Sequence, residues 1–556
     1  MEQKQLLIAL GISFVILTVW QMFIVPKQTK QVKQDIKKET TTEQKMPETK
    51  KETFEDVKDT GHTDIDPKTI IVEHSLYRAE ISNKGAAFIS FKLKKYRETN
   101  GKNSTEKELI SKTTDTGSVL TGYYEKGHSD LSDEYFYTDI PGDTIETINS
   151  RREIIFKWTS KNGIIIEKKY IFMPDTYMIG LNISVKNGSD SAIEKIYVSL
   201  AKDVTTKTNG YSFEGPSALI DKNLEQVDID DIEDKDLYKG IIKWVAIQDR
   251  YFMTSIIPVH VIETQFRLSL NTIVQKDKET LKEKTITELR SHYVQPAKID
   301  PGTQQEYAYN IFMGPKNMKL LEGYQNELDK VIDFGWFDIL AKPCLKFMNF
   351  LYHYIPNYGV VIILLTILLK MILWPLGSKS YKSMSEMKKL QPLVKELREK
   401  YKDDKKKLNE ETMALYRTYK VNPVGGCLPM LVQFPVIIAL YRMLGEAIEL
   451  RHAPFFGWIK DLSAPDRLFN FSFSHVPFME PPYGIPVLTL LMGASMFLQQ
   501  KMSPPMGDPT QAKMMMLLPV VFTFIFINFS SGLVLYWFIS NIISMGQQYY
   551  IQKKTA

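Results

Sequence analysis

Apolar runs crowd the C-terminal third of this 556-residue chain, and no other feature restricts its fold so strongly. About 20 apolar helical residues match the ~30 Å hydrocarbon core of a bilayer, where backbone polar groups must be satisfied within the segment itself. Residues 357–376, 424–444, 485–500, 514–529 and 532–551 read as five such spans. The last two are separated by Phe529-Ser530-Ser531-Gly532, which breaks one long run into two helices. Another apolar segment, LLIALGISFVILTVWQMFIV at 6–25, stands alone near the N-terminus. It lacks the short core and small-residue ending of a cleavable signal peptide, so residues 1–26 are expected to be an uncleaved anchor. The spans at 485–500 and 514–529 are short, at about 15 residues or ~22 Å of helix each, so the bilayer beside them is expected to thin.

Charge in the loops sets the orientation. Residues 377–423 carry 13 Lys/Arg against 7 Asp/Glu, and 445–484 carry 3 against 5. The positive-inside rule puts the first loop in the cytoplasm and the second outside. The short 501–513 loop and both termini then fall on the cytoplasmic side. Five lysines between Lys27 and Lys38 oppose this assignment, but long translocated domains obey the rule poorly. Cys344 and Cys427 fall on opposite sides of the membrane, so no internal disulfide is expected. The net charge of +5, with no accompanying motif, gives no reason to expect DNA binding.

Between the anchor and the clustered spans lies a large outer region. Residues 27–66 are polar and read as a flexible linker, and 67–320 read as a β-sandwich of many short strands. In REIIFKWTSKNGIIIEKKYIFM, Asn162-Gly163 sits between two β-rich runs and signals a hairpin; Asn187-Gly188 ends the next strand in the same way. No nucleophile elbow, phosphate loop, dinucleotide fingerprint or metal-ligand spacing appears, and the scattered histidines read as surface or core residues. Neither an enzyme activity, a cofactor nor a metal is expected. Residues 331–356, rich in aromatics, read either as an amphipathic helix lying on the membrane, with Trp336 and Phe337 at headgroup level, or as a buried connector.

In the cytoplasmic loop, Met384, Met387, Leu390, Val394 and Leu397 recur at helical steps, and Leu408, Leu415, Tyr416 and Tyr419 repeat the pattern after Lys402-Asp403-Asp404. A two-helix hairpin follows. Its exposed lysines are either a solvated face or a docking surface for an acidic or RNA-rich partner.

Lys370 is the anomaly. A cation at the centre of a span costs ~2.5–3.5 kcal/mol on insertion scales. It either snorkels toward the cytoplasmic headgroups or faces a hydrated pocket. Thr366 shares its helix face, Gln433 sits mid-span between Pro429 and Pro435, and Tyr536, Ser540 and Ser544 form one polar stripe with Trp537 beside it. No Asp or Glu lies in any span to neutralise the charge, so water must reach it. The missing carboxylates also argue against an ion pump, and an intramembrane protease would need catalytic groups that are absent. What remains is a one-sided polar groove in a thinned membrane, with a small-solute transporter or a passive assembly scaffold as alternatives.

The stretches NYGVVIILLTILLKMILWPL, LQPLVKELREKY, VNPVGGCLPMLVQFPVIIALY, APFFGWIKDLSAPD, QKMSP and SSGLVLYWFISN resemble the YidC family of membrane protein insertases, in the form with a large periplasmic domain. WVAIQDRYFMTSIIP and FMGPK in the outer domain resemble it too. The resemblance implies an inner-membrane insertase and folding chaperone whose cytoplasm-open groove accepts nascent membrane proteins. By the same resemblance the ribosome, a Sec translocon and membrane lipids are its partners. The family's groove cation, usually arginine, falls on Lys370, its substrate-contacting threonine on Thr366, its glutamine on Gln433 and its last-span aromatic pair on Tyr536 and Trp537. Ser540 joins them as a solvating hydroxyl. Lysine keeps the charge but loses the bidentate fork.

Overall fold

The computed structural model describes residues 65–555 except 102, 111–115, 205–211, 277–282, 325, 403, 420, 422–427, 472–475 and 504–508. The anchor at 1–26, nearly all of the 27–66 linker, and Cys427 lie outside the described residues.

From Thr69 to Pro315 the chain is almost wholly β. One five-stranded sheet is built from strands between Thr69 and Glu146, and a 13-stranded sheet from strands between Leu120 and Pro315. The two sheets face each other across an aromatic core, where the Phe88 and Tyr170 rings meet edge-on at 5.1 Å. This is the expected sandwich. Strand Ile165–Phe172 alternates buried and half-buried residues along its whole length, the period of 2 that makes one face core. It pairs antiparallel with Arg152–Thr159, so the hairpin forms at Asn162-Gly163. Gly163 sits at φ +86°, and its carbonyl accepts the Gly188 N–H at 3.1 Å. A Cβ on Gly188 would come within 2.3 Å of that carbonyl, which is why both turns end in glycine.

One buried position of strand Ile165–Phe172 holds a polar residue. Lys168 is fully buried, and its ammonium donates to the Gly85, Ala86 and Val119 carbonyls at 3.1, 2.9 and 2.8 Å. Three acceptors satisfy its three donors.

After the sandwich come the helices. Helix α1 (Asp338–Tyr354) is shorter than the expected 331–356 segment, because the chain before it is occupied by two 3₁₀ turns. It buries Ala341, Leu345 and Met348, while Ile339, Phe350 and Tyr354 are exposed. Trp336 is exposed as well, whereas Phe337 packs against the core. Helix α2 (Tyr358–Lys400) starts where the Asn357 side chain accepts the Val360 N–H. Instead of stopping at 376, it runs on as one 43-residue helix through Pro375 and Pro392. Gln547 donates to the Trp374 carbonyl at 3.0 Å and to the Ser378 hydroxyl at 3.2 Å, holding the helix together beside Pro375. Helix α3 (Lys405–Thr418), capped by Asp404, folds back to complete the hairpin over a small core of Met387, Leu390 and Val421.

Helices α4 (Leu428–Glu446), α5 (Val487–Met502), α6 (Pro509–Phe526) and α7 (Ser531–Thr555) follow. They correspond to the last four expected spans. Among the described residues, only α2 is long and apolar enough to cross a membrane by itself, and Met514–Phe526 is a shorter apolar helix.

Candidate functional site: a lysine-centred polar cluster between helices

Lys370 does not snorkel. Its side chain turns into the bundle, where the ammonium donates to Gln433 Oε1 on α4 at 3.2 Å and to Ser544 Oγ on α7 at 2.7 Å. The Gln433 amide then donates to Ser540 Oγ at 3.2 Å, which closes a four-residue network across three helices. The Tyr536 hydroxyl, buried one turn further along, is within hydrogen-bonding reach of both Gln433 and Ser540. Helical periodicity produces this arrangement: Tyr536, Ser540 and Ser544 recur every fourth residue, so they stack on one face of α7 toward α2 and α4.

Every acceptor shown for Lys370 is neutral. An ammonium has three donors, and the described residues occupy two of them. Ser544 lay on the stripe legible in the sequence, yet it is the nearer of the two partners.

Thr366 and Trp537 are placed differently. Thr366 is completely buried, and its hydroxyl donates to the Ile362 carbonyl of its own helix at 2.7 Å. Trp537 packs edge-on against Phe526 of α6 at 4.7 Å, beside Phe522. Lys370, Gln433, Tyr536 and Ser540 therefore form one set, and the other two side chains point elsewhere.

Toward the hairpin the polar character continues. Tyr381 lies within reach of Ser544 and Gln499, and Gln547 bridges to Ser378. Toward the opposite end, the charged residues are structural. Asp466 accepts the Leu488 N–H at 2.7 Å and the Thr489 hydroxyl at 2.9 Å, which satisfies the start of α5. Arg467 donates to the Ile527 carbonyl at 2.8 Å and to Asn528 Oδ1 at 3.3 Å, which satisfies the end of α6. Sequence reasoning missed both, because long-range capping carries no local signal.

The outer domain docks on the same end of α4. Arg250 Nε donates to the Gly445 carbonyl at 2.6 Å, and Asn317 and Asn349 both donate to Glu449 Oε1, at 3.0 and 3.2 Å. Lys316 reaches Gln248 at 3.0 Å, so the motifs WVAIQDRYF and FMGPK meet at this joint. Two histidines of the outer domain, His74 and His292, are held by hydrogen bonds within it. His292 lies between the Ser199 and Ser269 hydroxyls, and burial pulls its pKa down to about 4, keeping it neutral.

Comparison with known proteins agrees with this architecture. Residues 69–347 match the model of the YidC periplasmic domain, and residues 350–556 match the 60Kd inner membrane protein model. A membrane protein insertase YidC of Syntrophus aciditrophicus is 42% identical over 87% of this chain and 85% of its own length. That of Geotalea uraniireducens is 36% identical over 99% of both chains. A solved active YidC insertase aligns over 87% of this chain and 93% of its own at 18% identity, with a TM-score of 0.37. These relatives are named membrane protein insertases, and the second matched model is that of an inner membrane protein. With two family models together matching residues 69–347 and 350–556 and relatives this similar over nearly its whole length, the chain belongs to the YidC family of membrane protein insertases.

Proposed function

We propose that this protein inserts nascent proteins into the inner membrane by drawing the polar flank of a client toward Lys370 from the cytoplasmic side. One observation carries the reading: the Lys370 ammonium is held at the meeting point of three helices by neutral acceptors, Gln433 and Ser544. A positive charge so placed attracts a carboxylate, and its remaining donor is available to one. Gln433, Ser540 and Tyr536 then replace part of the hydration lost by the client's polar flank. The apolar part of the client moves into lipid beside the short helices α5 and α6.

The six-span topology, with both termini cytoplasmic and the sandwich periplasmic, belongs to this reading and rests on span lengths and loop charge. The hairpin of α2 and α3 receives the client. Lys388, Lys395, Lys400, Lys402, Lys406 and Lys407 are exposed on it, which suits an RNA-rich partner such as the ribosome. A Sec translocon as second partner and a folding-chaperone role follow from family membership alone. No cofactor enters the mechanism.

The test is insertion of a single-span client with an acidic tail into proteoliposomes holding wild type, Lys370→Ala or Lys370→Glu. An ion pair near 4 Å is worth about 1 kcal/mol in water and about 4 kcal/mol at an effective dielectric near 20, so Lys370→Ala should lower insertion by about tenfold or more and Lys370→Glu further. A client with an uncharged tail should respond much less. Equal insertion of the acidic client by all three proteins rules the electrostatic mechanism out.

A further inference from the structure

The outer loop that joins α4 to α5 exposes aromatic side chains that water does not favour. Phe469, Phe471 and Phe478 are 68%, 37% and 79% exposed, within the stretch LFNFSFSHVPFME, whose ionisable residues are His475 and Glu480. The strands Leu468–Phe471 and Tyr483–Ile485 pair antiparallel with a register shift between Leu468 and Phe471. Irregularities of this kind re-aim side chains. Phe469 and Phe478 both adopt left-handed backbone, at φ +58° and +63°, a conformation bulky residues rarely enter. Gly484 makes room for it, since a Cβ there would come within 2.2 Å of the Phe469 carbonyl.

The mount is rigid. Arg467 ties the hairpin to the Ile527 carbonyl and to Asn528 at the end of α6. Asn528 in turn donates to the Phe478 carbonyl at 3.1 Å and accepts the Glu480 N–H at 3.0 Å. The Phe478 ring lies 6.3 Å from that of Phe524, on a face of α6 where Val520, Val521, Phe524 and Ile525 are all exposed. The exposed rings of the hairpin therefore continue the exposed apolar face of α6.

We propose that Phe469, Phe471 and Phe478 form an aromatic foot seated among the acyl chains of the outer leaflet. The proposal rests on the reading that α6 crosses the membrane with its C-terminal end outward. At 16 and 18 residues, α5 and α6 are about 24 and 27 Å long, short of a ~30 Å hydrocarbon core. The foot supplies apolar surface where those helices stop, so the thinning they impose falls on the cytoplasmic side, where clients enter. A second copy of the chain or a protein partner seated on the rings would also have to cover the lipid-facing side of α6, which favours lipid as the occupant.

Spin labels report this directly. Full-length protein carrying Cys344→Ser and Cys427→Ser receives single cysteines by Phe469→Cys, Phe478→Cys, Glu480→Cys or Phe524→Cys. Each labelled protein is reconstituted into phosphatidylethanolamine–phosphatidylglycerol vesicles. Collisions with oxygen, which enters hydrocarbon, are compared with those of a water-soluble nickel chelate. Burying one phenylalanine-sized ring shifts a partition by tenfold or more, so the oxygen-to-chelate ratio at 469 and 478 should exceed that at 480 by about tenfold and approach that at 524. Chelate access at 469 and 478 with oxygen access at 524 overturns the foot and leaves the spanning reading intact. Chelate access at 524 overturns both. Shielding of 469 and 478 from both reagents means a protein covers them, and that also overturns the proposal.

Discussion

Lys168 and Lys370 show how one side chain takes opposite roles in different surroundings. Lys168 fills all three donors with backbone carbonyls and is closed to any ligand, whereas the partners of Lys370 among the described residues are two neutral side chains. Burial pulls the Lys168 pKa from 10.5 down to about 7. Between those values the unfolded chain holds a proton that the folded domain has lost, so stability should rise as pH is raised from about 7 toward 10.5. Hydrogen exchange of outer-domain amides in the full-length protein measures this, and in Lys168→Met the pH dependence should flatten. That variant also leaves three buried carbonyls short of a donor and should lose roughly 3 kcal/mol. The sequence marked Lys370 as an anomaly because its neighbours are all apolar. Lys168 drew no attention, since a lysine on an alternating strand ordinarily points to water.

At the scale of elements, helix ends were the least legible. The pattern of Met387 and Leu390 predicted the hairpin, but nothing local announced that α2 would run through Pro375 without a break. Beside that proline the helix is contacted by Gln547, more than 160 residues away in sequence. The hairpin core is small, so Leu390→Ala should cost about 2 kcal/mol locally and raise protease cleavage near Lys402 while leaving the sandwich protected. Unchanged cleavage would mean the hairpin is held from elsewhere. The strands were easier to read, because a period of 2 bounded by Asn-Gly turns fixes both register and face, as in Ile165–Phe172.

For the whole molecule, the question is how the large β domain relates to the polar cluster around Lys370. Arg250, Asn317 and Glu449 join the sandwich to the outer end of α4, the helix that carries Gln433. Arg250→Ala removes a charge-assisted bond to a backbone carbonyl, worth about 1.5–3 kcal/mol. Amide exchange at the outer end of α4 should accelerate by roughly tenfold or more in that variant, with exchange in the sandwich core unaffected. If exchange rises throughout the sandwich instead, Arg250 supports the domain's own fold and not its docking.

By itself, the sequence determined the division into a β-sandwich and an apolar helical region, the hairpin turns, the stripe on α7 and the family. Each of these is written in short-range periodicity or in ordered motifs. Only the tertiary structure decided which way Lys370 turns, that Ser544 is its nearer partner, that Thr366 is sealed against its own helix and that Trp537 faces α6. Periodicity fixes the face of a helix on which a residue lies. Which neighbour that face meets is set by packing among helices far apart in the chain, and no local pattern encodes it.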